Sequence, residues 1–91
     1  MMTLWGETDS ARALAPGILD VRTPSHGGIV LDETHAQRMK TSGHVPYKGD
    51  WRYWEEDTDW QFAFQMFAEE IRQHITAEEF DRISACVYRK L

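Results

Sequence analysis

The stretch WRYWEEDTDW at residues 51–60 decides the fold that we predict for this chain. Within ten residues it holds three of the four tryptophans, one tyrosine and four carboxylates. Aromatic side chains favour strands, so residues 51–55 are predicted to form a strand whose side chains point alternately to its two faces. Asp57 or Thr58 then has the side chain needed to cap a helix. The stretch therefore predicts a junction between a strand and a helix.

An apolar stripe with helical spacing follows this junction. Its members recur at intervals of three or four residues: Trp60, Phe64, Phe67, Ile71 and Ile75. This period predicts a long, largely buried helix that ends near Gln73 or His74. Thr76 and Glu79 then stand at the spacing of a capping box, which predicts the start of a last helix with Phe80 on its buried face.

The first residues of the chain favour a short helix near 7–14. Thr8 or Asp9 has the side chain needed to cap it, and Pro16 followed by Gly17 is typical of a helix end. Ala11 and Leu14 would face inward.

The middle of the chain predicts a hairpin and a second short helix. Residues 18–23 alternate between apolar and polar side chains, and residues 29–31 are apolar, so we expect two antiparallel strands joined by a loop of about five residues. Asp32 is placed as the N-cap of a helix over residues 33–40. Residues 41–50 are rich in small and turn-forming residues, which predicts a flexible loop.

These elements together predict an α+β fold in a single domain spanning residues 1–91. We expect a small antiparallel sheet of about three strands packed on a C-terminal helix pair, with the short helices near 7–14 and 33–40. The order of the strands cannot be derived from the pattern.

The charge of the chain is negative and unevenly distributed. The formal net charge is −5; residues 1–50 hold six acids and five bases, and residues 51–91 hold nine acids and five bases. Solubility explains a modest excess of acids, and a partner with a basic protein or nucleoprotein surface is the sharper interpretation. Direct binding of nucleic acid is disfavoured, because the chain has no Lys/Arg cluster to neutralise phosphates.

Cysteine content and hydropathy predict a soluble protein of a reducing compartment. The single cysteine, Cys86, follows the apolar pattern of the last helix and is expected to be a small core residue. No apolar run is long enough for a membrane span or a signal peptide, so we expect no membrane association.

The loop Ser25-His26-Gly27-Gly28 is the first candidate site. Backbone amides near paired glycines can converge on an anion, and an adjacent histidine can transfer protons near neutral pH. A tight turn between two short strands is the favoured explanation of the same residues, because such turn chemistry is expected there in any case. Both interpretations stay open.

The carboxylates of the central stretch, Glu55, Glu56, Asp57 and Asp59, are the second candidate site. They can cap a helix, contact a protein partner, or bind a metal ion or act in catalysis. The regular Ca²⁺ loop pattern is absent, and the histidines lack zinc-binding spacing, so no metal and no cofactor is predicted. A composite site of His26 with Glu55 or Glu56 requires the hairpin loop to lie beside the third strand.

The tryptophans suggest where a partner would bind. Trp51 and Trp54 lie on opposite faces of the predicted strand, so we expect one of them to be exposed. Tryptophan is enriched at the energetic centres of interfaces, and flanking carboxylates would steer a basic partner. We therefore predict a partner-binding surface of five residues: Trp54, Glu55, Glu56, Asp57 and Asp59.

Three segments of the chain resemble the pattern of an uncharacterised family of small domains from bacterial, plasmid and phage proteins. The segments are Pro16-Gly17-Ile18, TPSHGGI at residues 23–29 and YWEEDTDW at residues 53–60. The family pattern runs Gly-Ile, Thr-x-x-His-Gly-Gly-Ile and Trp-Tyr-Glu-Glu-Asp-x-x-Trp, and this chain departs from it by placing Trp54 after the tyrosine. The resemblance covers about residues 4–70. It implies a mobile-element setting and a location in the cytoplasm of a bacterial host, and it suggests that the His-Gly-Gly and Glu-Glu-Asp segments belong to one unit.

Three functions are consistent with these features. The first is a binding protein that inhibits a host defence complex, in the manner of anti-CRISPR proteins, through an acidic-aromatic surface. The second is a hydrolase, metal-dependent or based on His26 with Glu55, Glu56 or Asp57. The third is a structural or regulatory interaction module, for instance a dimer formed at an open sheet edge.

Overall fold

The structure, a computed structural model, describes residues 1–89. Its strands are β1 (Met2–Thr3), β2 (Gly6–Glu7), β3 (Ser10–Ala15), β4 (Ile18–Arg22), β5 (Gly27–Leu31) and β6 (Tyr53–Glu55). Its helices are α1 (Glu33–Met39), α2 (Trp60–Met66), α3 (Ala68–Arg72) and α4 (Ala77–Tyr88). Among the described residues, no helix is both long and apolar enough to cross a membrane.

The predicted α+β class is confirmed. The main sheet has four antiparallel strands in the order β3-β4-β5-β6, and β1 pairs with β2 in a separate two-stranded sheet. The predicted β4–β5 hairpin forms, with Ile18 opposite Leu31 and Arg22 opposite Gly27. The strands β1 and β2 were not predicted from the sequence, and the main sheet has one strand, β3, beyond the three that were predicted.

That additional strand, β3, replaces the helix predicted near 7–14, and this prediction was wrong. Residues 10–15 pair with β4 along their length, from Ser10 opposite Arg22 to Ala15 opposite Ile18. Alanine favours a helix in isolation, but the ladder with β4 supplies hydrogen bonds and burial that outweigh this weak preference. Pro16 and Gly17 form the two-residue turn of a hairpin rather than a helix end, with Gly17 at φ 82°.

Gly17 is required at this turn for a second reason. A Cβ at this position would lie 2.2 Å from Asp32 Oδ2 and 2.9 Å from His35 Nδ1. The β3–β4 turn therefore packs directly against the start of α1.

Two helices, α1 and α4, begin at the capping residues that the sequence predicted, whereas α2 and α3 do not. Asp32 caps α1 by accepting from the His35 amide at 2.9 Å, and Thr76 and Glu79 form a complete capping box on α4. The predicted long helix is interrupted at Phe67, where the backbone leaves the helical region (φ −109°, ψ 18°), and it divides into α2 and α3. Asp59, rather than Asp57 or Thr58, occupies the N-cap position of α2, without a capping hydrogen bond from its side chain.

The core lies between one face of the main sheet and the helices. The sheet contributes apolar side chains from each of its four strands, among them Leu14, Ile18, Ile29 and Trp54. The apolar stripe of α2 and α3, which the sequence predicted, packs against them together with the buried face of α4. We call this face of the sheet the inner face; the register places Leu19 and Val30 on the opposite, outer face.

Candidate functional site

Trp54 lies on the inner face of the sheet and is completely buried, with 0% of its surface exposed. Its register partner is Ile29, a core residue, and its indole N–H donates to the Trp51 carbonyl at 2.7 Å. The expectation of an exposed Trp54 was therefore wrong. Alternation along β6 gives two faces, and the helices cover the one that carries Trp54.

Asp59 is also buried, with 5% of its surface exposed, although it was predicted to contact a partner. Its carboxylate accepts from the Tyr47 amide at 2.6 Å and from the Glu55 amide at 2.8 Å. Burial raises the pKa of Asp59, and these hydrogen bonds act in the opposite direction. Asp59 thus fastens the loop before β6 to the junction between β6 and α2, and it is not available on the surface.

Glu55 joins the two segments that the sequence singled out. Only 9% of its surface is exposed. One carboxylate oxygen accepts from the Trp5 indole N–H at 3.1 Å, and the other lies 3.3 Å from His26 Nδ1. The composite arrangement of His26 with Glu55 that required the hairpin loop beside the third strand is present.

His26 keeps 49% of its side chain exposed despite this contact. Its position is set by the turn after β4, where its amide donates to the Thr23 hydroxyl at 3.0 Å and its carbonyl accepts from the Thr23 amide at 2.7 Å. A largely buried carboxylate therefore faces one ring nitrogen of an exposed histidine. In this arrangement the carboxylate can orient the ring while the other nitrogen is left for proton transfer.

The glycines after His26 have a packing role. Gly28 lies opposite Glu55 in the ladder of β5 with β6, and a Cβ on Gly28 would come within 2.3 Å of the Trp54 carbonyl oxygen and 2.8 Å of the Trp5 ring. Both glycines are buried strand residues rather than members of an open loop. This placement favours the tight-turn interpretation of residues 25–28 over an anion-binding nest.

Glu56 and Asp57 remain nearest to the surface among the predicted contact residues. Asp57 is exposed, and Glu56 is partly exposed and forms an ion pair with Arg22 of β4. The Glu56 amide also donates to the Gly27 carbonyl at 2.9 Å. The His-Gly-Gly and Glu-Glu-Asp segments are therefore one structural unit.

Sequence reasoning missed a group of charged residues on the inner face. Arg12 of β3 lies directly opposite Asp20 of β4, and Arg22 follows two residues later on the same face. The sequence shows that Asp20 and Arg22 lie on one side of the strand and Val21 on the other, but it does not show which side faces the helices. In the structure, the side that bears Ile18, Asp20 and Arg22 faces them. Burial raises the pKa of Asp20, against the opposing effect of Arg22 and Arg12.

Three conclusions about ligands and relatives follow. Among residues 1–89, no group of three or more His, Cys, Asp or Glu side chains is arranged to hold a metal ion. No curated protein and no solved structure matches the chain. A family model described as a domain of unknown function (DUF7007) matches residues 1–90, so the chain belongs to the DUF7007 family.

Proposed function

We propose that this chain is a small binding protein that inhibits a host defence complex by covering a basic surface, in the manner of anti-CRISPR proteins and in a phage or mobile-element setting. The observation that carries the proposal is the concentration of acids, nine against five bases, in residues 51–91. Complementary charge accelerates association and selects partners, which suits an inhibitor that competes with nucleic acid for a basic channel.

The contact that we propose is narrower than the sequence predicted. Trp54, Glu55 and Asp59 are buried and have internal roles. Glu56 and Asp57 stay near the surface at the junction between β6 and α2. We call these two residues the junction rim, and we assign the partner contact to it.

The experiment compares Asp57→Lys with Asp81→Lys in capture from a bacterial host lysate. Both aspartates are exposed, Asp57 in the turn before α2 and Asp81 within α4, so each substitution reverses one charge on the surface. The wild type is expected to retain a protein with a basic surface, less so as salt rises. Asp57→Lys should weaken capture about tenfold and Asp81→Lys about twofold or less.

The result is read only for variants whose circular dichroism matches the wild type. Equal capture by both variants would place the contact elsewhere on the surface. A captured partner with an acidic surface, or no partner at low salt, would remove the proposal.

A second candidate function, acid–base hydrolysis, is favoured by one observation: the 3.3 Å approach of His26 Nδ1 to a largely buried Glu55. Glu55 would orient the ring, and His26 would activate water. Hydrolysis of activated esters is the assay, with His74→Ala as the control because His74 is also exposed. His26→Ala should abolish a rate above background that His74→Ala leaves intact. No rate above background in the wild type would eliminate this candidate.

A further inference from the structure

A cavity of about 200 Å³ lies between the β3–β4 corner of the inner face and helices α2 and α4. Arg12, Asp20 and Arg22 project into its lining from the sheet, and Arg82 and Trp60 contribute from the helices. Three guanidinium groups and one carboxylate thus line a cavity on the core side of a sheet, where apolar side chains usually dominate. The cavity is separate from His26 and from the exposed Asp57.

The arginines of the cavity have donors to spare. Arg12 pairs with Glu79 of α4, and Arg22 pairs with Glu56. Each guanidinium has five N–H donors, and a carboxylate occupies at most two of them in a bidentate pair. Arg82 forms no ion pair or hydrogen bond with any of residues 1–89, and its side chain is exposed at the cavity.

Asp20 supplies the complementary group, a hydrogen-bond acceptor that the described residues leave unmatched. Its Oδ1 is buried and accepts no hydrogen bond from any of residues 1–89. The nearby Arg22 Nε is 3.7 Å away, close enough for charge attraction but too far for a hydrogen bond. Burial raises the pKa of Asp20, and the charges of Arg22 and Arg12 oppose that rise. In its ionised form the carboxylate can only accept hydrogen bonds.

We propose that this cavity binds a small oxyanion that retains a proton, such as hydrogen phosphate. Guanidinium groups of Arg82 and Arg12 bind its negative oxygens, and Asp20 Oδ1 accepts its O–H. The wall formed by Trp60 excludes water from one side and strengthens these contacts. This inference does not rest on the proposed inhibitor function, because the groups assigned to the anion, Arg12, Arg82 and Asp20, lie outside the junction rim.

The requirement for a proton gives the proposal a sharp test. Phosphate near pH 7 always carries at least one O–H group, whereas sulfate carries none and would set a bare oxygen against the Asp20 carboxylate. Calorimetric titration of the full chain at matched ionic strength should therefore give phosphate at least about tenfold tighter binding than sulfate. Methyl phosphate at pH 6 is the third ligand, because tighter binding of the ester would identify a phosphomonoester rather than free phosphate.

Two variants assign the roles. Asp20→Asn keeps the shape and adds an N–H donor, so sulfate should bind within about twofold of phosphate. Arg82→Gln should weaken phosphate about tenfold, while Arg72→Gln, which removes the same charge from an exposed position of α3 outside the cavity, should leave it unchanged.

Each alternative outcome overturns the proposal. Binding of neither anion at millimolar concentration would mean that Asp20 belongs to a purely internal ionic network. Equal binding of phosphate and sulfate by the wild type, or equal losses in Arg82→Gln and Arg72→Gln, would mean non-specific screening. Arg82 is exposed, so Arg82→Gln is expected to fold. If Asp20→Asn is unstable, the comparison of Arg82→Gln with Arg72→Gln still tests the proposal.

Discussion

Two histidines of this domain meet carboxylates in opposite ways. His35 is buried, with 8% exposed, and each ring nitrogen lies 2.7 Å from a carboxylate oxygen, of Asp32 on one side and Glu70 on the other. His26 is half exposed and, within the described part of the chain, faces one carboxylate, that of Glu55. A neutral imidazole carries one N–H, so two acceptors require the doubly protonated ring at His35, whereas one acceptor leaves His26 a free nitrogen. The same pair of residue types therefore fastens elements together at one site, and at the other it leaves one ring nitrogen without a contact to the described residues.

The location of His35 explains its structural role. Asp32 and His35 belong to the start of α1, and Glu70 belongs to α3, so the bridge spans 35 residues of sequence. The ring also packs edge-on against Phe67 at 4.8 Å, at the residue where the helical stripe is interrupted. We expect this contact to hold the position of α3 relative to α1.

Substitution of the two histidines by alanine is expected to give the largest difference. His35→Ala leaves Asp32 and Glu70 facing each other without their cation, and it removes the ring that packs on Phe67. We expect a loss of about 2 kcal/mol in the free energy of unfolding, because both carboxylates remain partly hydrated. His26→Ala should cost less than about 0.5 kcal/mol because its ring is half exposed.

Urea denaturation measures both values in the same buffer near pH 6. Similar losses for His35→Ala and His26→Ala would contradict the distinction between the two sites. Gln37→Ala, an exposed change on α1, is the control for helix propensity.

The pH dependence of stability is expected to give the next largest effect. Burial acts to lower the pKa of His35, but hydrogen bonds and charge from Asp32 and Glu70 together outweigh it and raise the pKa above its ordinary value of 6.5. The bridge therefore contributes fully at pH values below about 6.5, and its contribution is lost as pH rises through the higher pKa of the folded state. We expect the wild type to lose about 1 kcal/mol between pH 6 and pH 9.

The two histidine variants identify which residue causes this loss of stability with rising pH. His35→Ala should remove most of the loss over this pH range, and His26→Ala should retain it. Denaturation midpoints at several pH values provide the measurement. A slope that is unchanged in His35→Ala would show that another group titrates with unfolding.

The local parts of this fold were predictable, and the parts that depend on distant pairing were not. Asp32 as an N-cap and the Thr76 capping box involve residues three apart, so the chain itself displays them. The segment at β3 was misassigned because its alanines favour a helix until β4 provides a partner. Strand alternation separated the two faces of β6, but the burial of Trp54 depends on which face the helices cover.

The candidate site also has features that could be predicted from the sequence and features that depend on distant pairing. The proximity of the His-Gly-Gly and Glu-Glu-Asp segments was suggested by resemblance, and the ladder of β5 with β6 brings them together. The contact from Trp5 to Glu55 spans 50 residues and has no local signature. The charge pattern of residues 51–60 predicted more exposed carboxylates than the structure has. A carboxylate such as that of Asp59 can be buried when backbone amides donate to it.

The smallest expected effect comes from neutralising one carboxylate at each site. Glu70→Gln and Glu55→Gln keep the shape of the side chain and remove its charge. Glu70→Gln removes a charge partner of His35 and should cost about 1 kcal/mol, because the imidazolium loses one of its two anions. At Glu55 the amide oxygen can still accept from the Trp5 indole, so the expected cost is about 0.5 kcal/mol. Glu55→Gln should also increase the mobility of the His26 ring, which NMR relaxation of that ring measures, whereas a larger destabilisation at Glu55 than at Glu70 would show that Glu55 is the more important structural anchor.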